Sequence, residues 1–284
     1  MIIYKKVNLK RFNTLNLNSF AKIMFEVENA YEIYILNYLF NYFNIDFIVL
    51  GNGSKIVFKD KYVKKPIILI NESFKEIYIN KNEALVSSGY LLKDLIIKLK
   101  DNNLGSFESL FPIPGSVGGI ITNNAGIKNL EIKDFVKKVI CLNEKNEILI
   151  LNNEDIDFKY RSSIFKNKKY IILYALFSLK EINKNEILNN IKNSIIYRKK
   201  HQELVKTCGS FFKNPSNYKA YELIIKAKAN KYKVNGVMVS KKHANILINS
   251  KNATGKDVIK LMHKIQKKVF KTFNIYLEAE IIIV

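Results

Sequence analysis

The sequence predicts a globular fold that mixes helices with many short strands. Three observations predict it. Apolar residues recur at helical spacing in residues 29–43, 91–100, 185–200 and 254–273. Between these segments lie short apolar runs bounded by Gly, Asn and Lys, with the length and composition of strands. The composition, 48% hydrophobic and 25% charged over 284 residues, is that of a soluble chain able to bury a large core in about two domains.

Residues 29–43 place Tyr31, Ile35, Leu36, Leu39, Phe40 and Phe43 at helical spacing, and the strand-like run Phe47-Ile48-Val49-Leu50 follows. Gly51-Asn52-Gly53-Ser54-Lys55 comes directly after it. A strand followed by a glycine-rich turn can aim backbone N–H groups at an anion such as a phosphate. No GKS/T follows, which excludes a Walker loop. The third glycine of the dinucleotide fingerprint is missing, and Ile56-Val57-Phe58 reads as a strand where that fingerprint needs a helix. A plain hairpin turn would use the same residues. Strand-like runs at 67–70, 76–79 and 84–88 lead through Gly89 into the helix of 91–100, with Leu91, Leu95, Ile96 and Leu99 on one face. Phe111-Pro112-Ile113-Pro114-Gly115-Ser116-Val117-Gly118-Gly119 then gathers two of the four prolines and three of the eleven glycines, and runs on through Asn123-Asn124-Ala125-Gly126. Such a stretch either lays rigid backbone against a flat or phosphorylated ligand or makes a tight entry into a buried helix.

Strand candidates at 136–142 and 147–151 are joined by the polar turn Asn143-Glu144-Lys145-Asn146. Next comes the basic–aromatic cluster Phe158-Lys159-Tyr160-Arg161-Ser162-Ser163-Ile164-Phe165. Arg161 is one of three arginines, with Arg11 and Arg198, among 47 basic residues. A retained arginine in a lysine-rich chain can mark a site needing a planar fork, although chance also accounts for three. Residues 170–179 read as a buried strand, 180–186 as a polar link and domain boundary, and 185–200 as a helix ending Arg198-Lys199-Lys200.

The densest stretch is Leu204-Val205-Lys206-Thr207-Cys208-Gly209-Ser210-Phe211-Phe212-Lys213-Asn214-Pro215. Gly209 allows a turn that a Cβ would resist, so the Ser210 hydroxyl can face a cleft while Phe211 and Phe212 anchor it and Pro215 ends the segment. That hydroxyl suits a proton donor, a nucleophile or a hydrogen-bond partner, and equally a serine in a structural turn. Residues 218–227 follow as a short amphipathic helix, then strands at 236–240 and 244–248 flank Lys241-Lys242-His243. Thr254 to Asp257 has the pattern of a capping box. The helix it opens turns Val258, Met262, Ile265, Val269 and Phe273 inward and Lys256, Lys260, Lys264, Lys267 and Lys271 outward. In the terminal Leu277-Glu278-Ala279-Glu280, Glu280 is followed directly by four apolar residues. Desolvation favours the protonated, donating form of such a carboxyl group; a solvent-facing position in an alternating strand fits the same pattern.

Composition narrows the function classes. The opening MIIYKKVNLKRF has too short an apolar run for a secretory signal, and residues 31–50 carry Glu32, Asn37, Asn41, Asn44 and Asp46, too polar for a membrane span. The two cysteines, Cys141 and Cys208, have no metal-type spacing and fit a reducing cytoplasm; no metal is expected. The net charge of +22 raises nucleic-acid binding, but the lysines are spread singly along the chain without an aromatic–basic signature, so compositional drift serves as well.

Taken in order, GNGS, IPGSVGG with NNAG, YRSSIF, GSFFKNP, KHAN and the terminal LEAE resemble the UDP-N-acetylenolpyruvoylglucosamine reductase family over nearly the whole chain. The resemblance implies an α+β fold: a two-part FAD-binding domain of the vanillyl-alcohol-oxidase type plus a C-terminal α+β substrate-binding domain. It places the first FAD subdomain at 1–70 with the final strand 275–284 returning to it, the second at 71–185, and the substrate domain at 186–274. It implies non-covalent FAD, held by Gly51, Asn52, Gly53, Ser54 and Lys55 at the pyrophosphate and by Ile113, Pro114, Gly115, Ser116, Gly118, Gly119, Asn124 and Gly126. It implies NADPH as reductant and UDP-N-acetylglucosamine enolpyruvate as substrate, for a cytoplasmic monomer with no nucleic-acid or membrane partner. The catalytic set it carries over is Arg161, Ser210 and Glu280. Arg161 and a protonated Glu280 would stabilise negative charge on the substrate carboxylate, and Ser210 would protonate C2 after hydride reaches C3. Tyr160, Arg198, Asn214 and His243 would line the substrate site. The span between Arg161 and Ser210 is too short for the family's extra insertion, which implies the shorter form.

Pro112 stands where a glycine is common, Lys55 where an asparagine is common, Cys208 where an alanine is usual, and Gln202-Glu203 where Gln-Pro is usual. Lys55 would add charge at the FAD phosphates. Another FAD-dependent oxidase or dehydrogenase of the same fold would lack the Arg161, Ser210 and Glu280 set.

Overall fold

The computed structural model describes residues 1–127, 129–167, 170–202 and 206–284. Glu203, Leu204 and Val205 lie outside the described residues. The chain divides into two compact units: Met1–Tyr4, Ile23–Asn52 and Lys65–Arg198 form the first, and Lys5–Lys22, Gly53–Lys64 and Lys199–Val284 the second. One crossing falls inside the GNGS turn, between Asn52 and Gly53.

The first unit contains an antiparallel sheet in the order Ile148–Asn152, Val136–Leu142, Ile171–Ser178, Glu83–Ser87, Ile77–Asn80. Its first hairpin closes where the sequence pattern places the polar turn. Asn143 Oδ1 accepts from the N–H groups of Lys145 and Glu147, both at 2.9 Å, and Asn146 takes the left-handed conformation (φ 63°) that asparagine tolerates. On one face Val139, Ala175 and Phe177 pack under the helices Leu92–Asp101 and Val117–Thr122, which bury Leu95, Leu99, Val117 and Ile121. On the other, Leu142, Ile171 and Leu173 join Ile33, Leu36, Phe40, Ile68 and Phe74 in a second core. That core includes the parallel pairing of Ile67–Leu69 with Ile48–Leu50, and of the same strand with Met24 to Glu26. All three residues of Ile67–Leu69 are buried, as the centre of a parallel arrangement requires.

Helix Ala30–Tyr42 departs from its expected face. It buries Ile33, Leu36, Asn37 and Phe40, whereas Tyr31, Leu39 and Phe43 are exposed. Apolar and aromatic residues nearly encircle this helix, so spacing alone does not select the stripe. Asn37 turns inward because Nδ2 donates to Asn143 O and Asn146 Oδ1.

In the second unit the capping box forms: the Thr254 and Asp257 side chains each accept from the other's N–H. The helix they open, Gly255–Phe273, buries Val258, Met262, Ile265 and Val269, the expected face, together with Leu261 and Gln266. It covers the antiparallel strands Lys233–Val234, Val237–Val239 and Leu247–Asn249. The chain end, Ile282–Ile283, runs parallel to Ile56–Val57. Ahead of Ile56, Gly53 (φ 62°) sits so close to the Phe12 carbonyl that a Cβ would lie 2.0 Å from the oxygen. Thr14 N donates to Gly53 O (3.1 Å) and fixes this turn. No helix among the described residues is long and apolar enough to cross a membrane.

Candidate active site

In the second unit, residues 210–213 are threaded between two partners. On one side Phe211 N donates to Asn245 O and Phe212 N to Asn245 Oδ1, while Asn245 Nδ2 returns a bond to Phe212 O (2.8 Å). On the other, Glu280 N donates to Phe211 O (2.8 Å) and Lys213 N to Glu278 O (2.9 Å). The rings of Phe211 and Phe212 are fully buried in the same core as Cys208 and Leu277. The segment is therefore held along both sides, and Ser210 is its first residue, partly exposed. Gly209 precedes it at φ 72°, the left-handed conformation that the sequence pattern predicts. Cys208 is buried, and burial pushes its thiol up to about 12, so it is inert packing and not a reactive thiolate.

Glu280 is 7% exposed, which realises the expected desolvation. It is also ion-paired: Lys55 Nζ lies 2.7 Å from Glu280 Oε1 and donates to the Ser210 carbonyl at 2.7 Å. Lys55, expected beside the flavin phosphates, thus has its ammonium on the two residues expected to be catalytic.

In the first unit, Arg161 occupies a tight turn in which Lys159 and Ser162 exchange both backbone hydrogen bonds at 3.0 Å. Its own φ is 54°, a left-handed conformation costly for a side chain of this size. Nη1 donates to Glu131 Oε1 (2.8 Å) and Asn124 O (3.2 Å), and Nη2 to Gly126 O (2.9 Å). Three of the five guanidinium donors are engaged in this way. Asn124 donates through Nδ2 to Glu131 Oε2 (2.8 Å) and Lys159 O (3.0 Å), closing the cluster. Asn124 and Gly126, expected at the cofactor, here hold the arginine. Glu131 does not stand out in the sequence, and Asn245 does so only as the last residue of KHAN, with no role of its own assigned there.

The remaining cofactor candidates are brought together in part. Asn52 Nδ2 donates to Pro114 O (3.2 Å), joining Gly51-Asn52 to Ile113–Ser116, and Gly118 N donates to Ser88 O (2.9 Å). Ser88 Oγ and Asn123 Oδ1 are buried without a hydrogen-bond partner among the described residues. In the second unit Thr14 Oγ1, beside Gly53, is in the same position. In each unit, then, a glycine-rich stretch has orphaned buried polar atoms beside it, the mark of a group supplied from outside the chain, and this fits the polar atoms of FAD.

The family model described as FAD binding domain matches residues 21–152, and that described as UDP-N-acetylenolpyruvoylglucosamine reductase, C-terminal domain, matches residues 199–284. The chain is 36% identical over 274 residues to the UDP-N-acetylenolpyruvoylglucosamine reductase of Carboxydothermus hydrogenoformans, covering 96% of this chain and 91% of that one. The chain belongs to the UDP-N-acetylenolpyruvoylglucosamine reductase family. The enzyme of that name from Staphylococcus carnosus is 31% identical over 97% of this chain and 90% of its own length. The crystal structure of the Thermus caldophilus reductase superposes with a TM-score of 0.85 at 29% identity, covering 100% of this chain and 99% of that one. The α+β fold with an FAD-binding part and a C-terminal family domain stands as expected.

Of the residues the resemblance places at the substrate, Tyr160 is 45% exposed with the Arg161 guanidinium 4.9 Å from its ring centre. Asn214 has a structural bond, its Oδ1 accepting from Ala220 N at the start of helix Ala220–Lys226 (2.9 Å). Arg198 Nε is buried without a partner among the described residues, and burial lowers the guanidinium pKa. The unpartnered Nε is a donor open to an anion. The His243 ring is tilted by 51° against that of Tyr221, with centres 5.3 Å apart, and Nδ1 accepts from Asn245 N (3.3 Å). Burial lowers its pKa from 6.5, and His201 adds to the lowering. A histidine that resists charging in the folded state binds fewer protons than in the unfolded one, so stability falls as pH drops through 6.5 toward the lower folded value. His243→Gln is expected to flatten that loss. Melting temperatures from about pH 7.5 to about pH 5 measure it, and equal slopes in both proteins would refute it.

Proposed function

We propose that the protein reduces UDP-N-acetylglucosamine enolpyruvate to UDP-N-acetylmuramate with NADPH, in peptidoglycan precursor synthesis. The observation that carries this reading is 36% identity to a named reductase along 96% of the chain. We further propose that it works as a cytoplasmic monomer, that 1–70 and 71–185 form the two FAD subdomains with 275–284 returning to the first, and that 186–274 is the substrate domain. The pairing of Ile282 with Ile56 supports the return.

Gly51 to Ser54, Ile113 to Ser116 and Gly118-Gly119 would hold FAD. When bound, FAD supplies hydride to C3 of the enolpyruvyl group after accepting it from NADPH. Ser210 delivers a proton from Oγ to C2, and its effect comes from placement, since a serine hydroxyl is a weak acid in water. Arg161 directs donors not engaged by Glu131, Asn124 and Gly126 at the substrate carboxylate, where negative charge gathers. Glu280, buried and tied to Phe211 O through its own N–H, would act on the same carboxylate as a donor, which requires it to take up a proton beside the Lys55 ammonium it pairs with here. Tyr160, Arg198, Asn214 and His243 line the substrate side, with Arg198 matched to phosphate. Cys208 has no part in the chemistry.

The purified protein with FAD is expected to be yellow, to bleach with NADPH, and to regain colour on adding the enolpyruvyl substrate with formation of UDP-N-acetylmuramate. A colourless protein that takes up no FAD would end the flavoenzyme reading. A yellow protein that regains colour only with oxygen would point to another oxidoreductase of this fold.

A further inference from the structure

Four bonds close a ring around Ser210 and Glu280, and Lys55 makes three of them. Its carbonyl accepts from Ile282 N (2.8 Å), which sets the register of the chain end two residues beyond Glu280. Its ammonium donates to Ser210 O (2.7 Å) and pairs with Glu280 Oε1 (2.7 Å). The fourth bond, Glu280 N to Phe211 O (2.8 Å), ties Glu280 to the residue that follows Ser210. The Lys55 side chain is 24% exposed and that of Glu280 9%, so water weakens this pair less than a surface one. Gly209, at φ 72°, lies beside the ammonium: a Cβ there would be in ordinary contact with Nζ at 3.5 Å.

We propose that Lys55 is a positioning residue for the reduction, its ammonium fixing the Ser210 main chain and the Glu280 carboxyl relative to each other. The inference rests on the reading of Ser210 and Glu280 as the proton donor and carboxylate partner. A lysine can do this where a shorter amide side chain cannot, because a four-carbon stem carries three donors that point in different directions. Shifts of about 1 Å in a reacting group cost on the order of 10²-fold in rate, so the clamp has a measurable effect.

The test is stopped-flow kinetics of the two half-reactions, flavin bleaching by NADPH and recovery by substrate, in FAD-loaded wild type, Lys55→Met, Lys55→Arg, Glu280→Gln and the double variant Lys55→Met/Glu280→Gln. Lys55→Met is expected to slow recovery by about 10- to 100-fold more than bleaching, with the loss in the rate constant and not in KM. Lys55→Arg should restore most of the rate. In the Glu280→Gln background Lys55→Met should add little, because residues acting through one another are non-additive. The same cycle read by thermal unfolding should show coupling between positions 55 and 280 without any turnover. Lys55→Gln replaces Lys55→Met where the latter does not fold. Equal loss in both half-reactions with lower FAD content would place Lys55 at the cofactor and overturn the proposal, as would an unaffected recovery rate. Wild type that binds FAD but never turns over substrate would remove the underlying reading, and the role of Lys55 with it. A working wild type with an indifferent Lys55→Met removes that role alone.

Discussion

Ser210→Ala is expected to lower turnover by about 10²–10⁴-fold while NADPH still bleaches the flavin. The substitution is unusually clean. Gly209 takes the left-handed turn, Phe211 and Phe212 are fully buried, and Asn245 and residues 278–280 hold the main chain on both sides. None of these uses the Ser210 side chain. Loss of Oγ therefore leaves the segment in place, and stability should change by no more than about 0.5 kcal/mol. Single-turnover mixing separates the outcomes: bleaching at the wild-type rate with arrested recovery identifies Ser210 as the proton donor to C2. Comparable loss in both half-reactions would show that it is not.

Local pattern was enough for what local chemistry decides. The Thr254–Asp257 box, the lysine-outward helix behind it, the Asn143–Asn146 turn and the left-handed Gly209 each depend on residues a few positions apart. The two glycine-rich stretches were visible for the same reason, although their purpose became specific only through the family pattern. The buried face of Ala30–Tyr42 shows the opposite limit. Its inward stripe is selected by Asn37 bonding to Asn143 and Asn146, a hundred residues further on. The partners of Lys55 were hidden likewise: position 55 looked like part of a phosphate turn, and only the pairing of Ile56–Val57 with the chain end brings it to Glu280. Glu131 is an ordinary polar residue in sequence and Asn245 only the end of KHAN; three-dimensional bonding gives each its part.

Arg161→Lys is expected to lower turnover by about 10²–10³-fold with flavin content unchanged, the loss typical of one donor removed from a developing negative charge. Charge is retained in this variant, so the experiment isolates geometry. The guanidinium bonds Glu131 Oε1, Asn124 O and Gly126 O through its two terminal nitrogens and still keeps donors for a ligand. An ammonium is a single point with three donors and cannot hold these acceptors and a substrate carboxylate together. The backbone gives a second reason to expect a specific role. Arg161 adopts φ 54° in the centre of a tight turn, a conformation that costs roughly 1–2 kcal/mol for a residue with a Cβ. Glycine would fill that turn without strain, yet the chain carries one of its three arginines there. Strain kept at such a place is consistent with a side chain needed for chemistry. Arg161→Gly should accordingly lose turnover as fully as Arg161→Lys while easing the backbone, although it leaves Glu131 without its guanidinium. Steady-state kinetics beside thermal unfolding decides the matter: near-wild-type turnover in Arg161→Lys would show that charge alone suffices and that the fork has no part in the reaction.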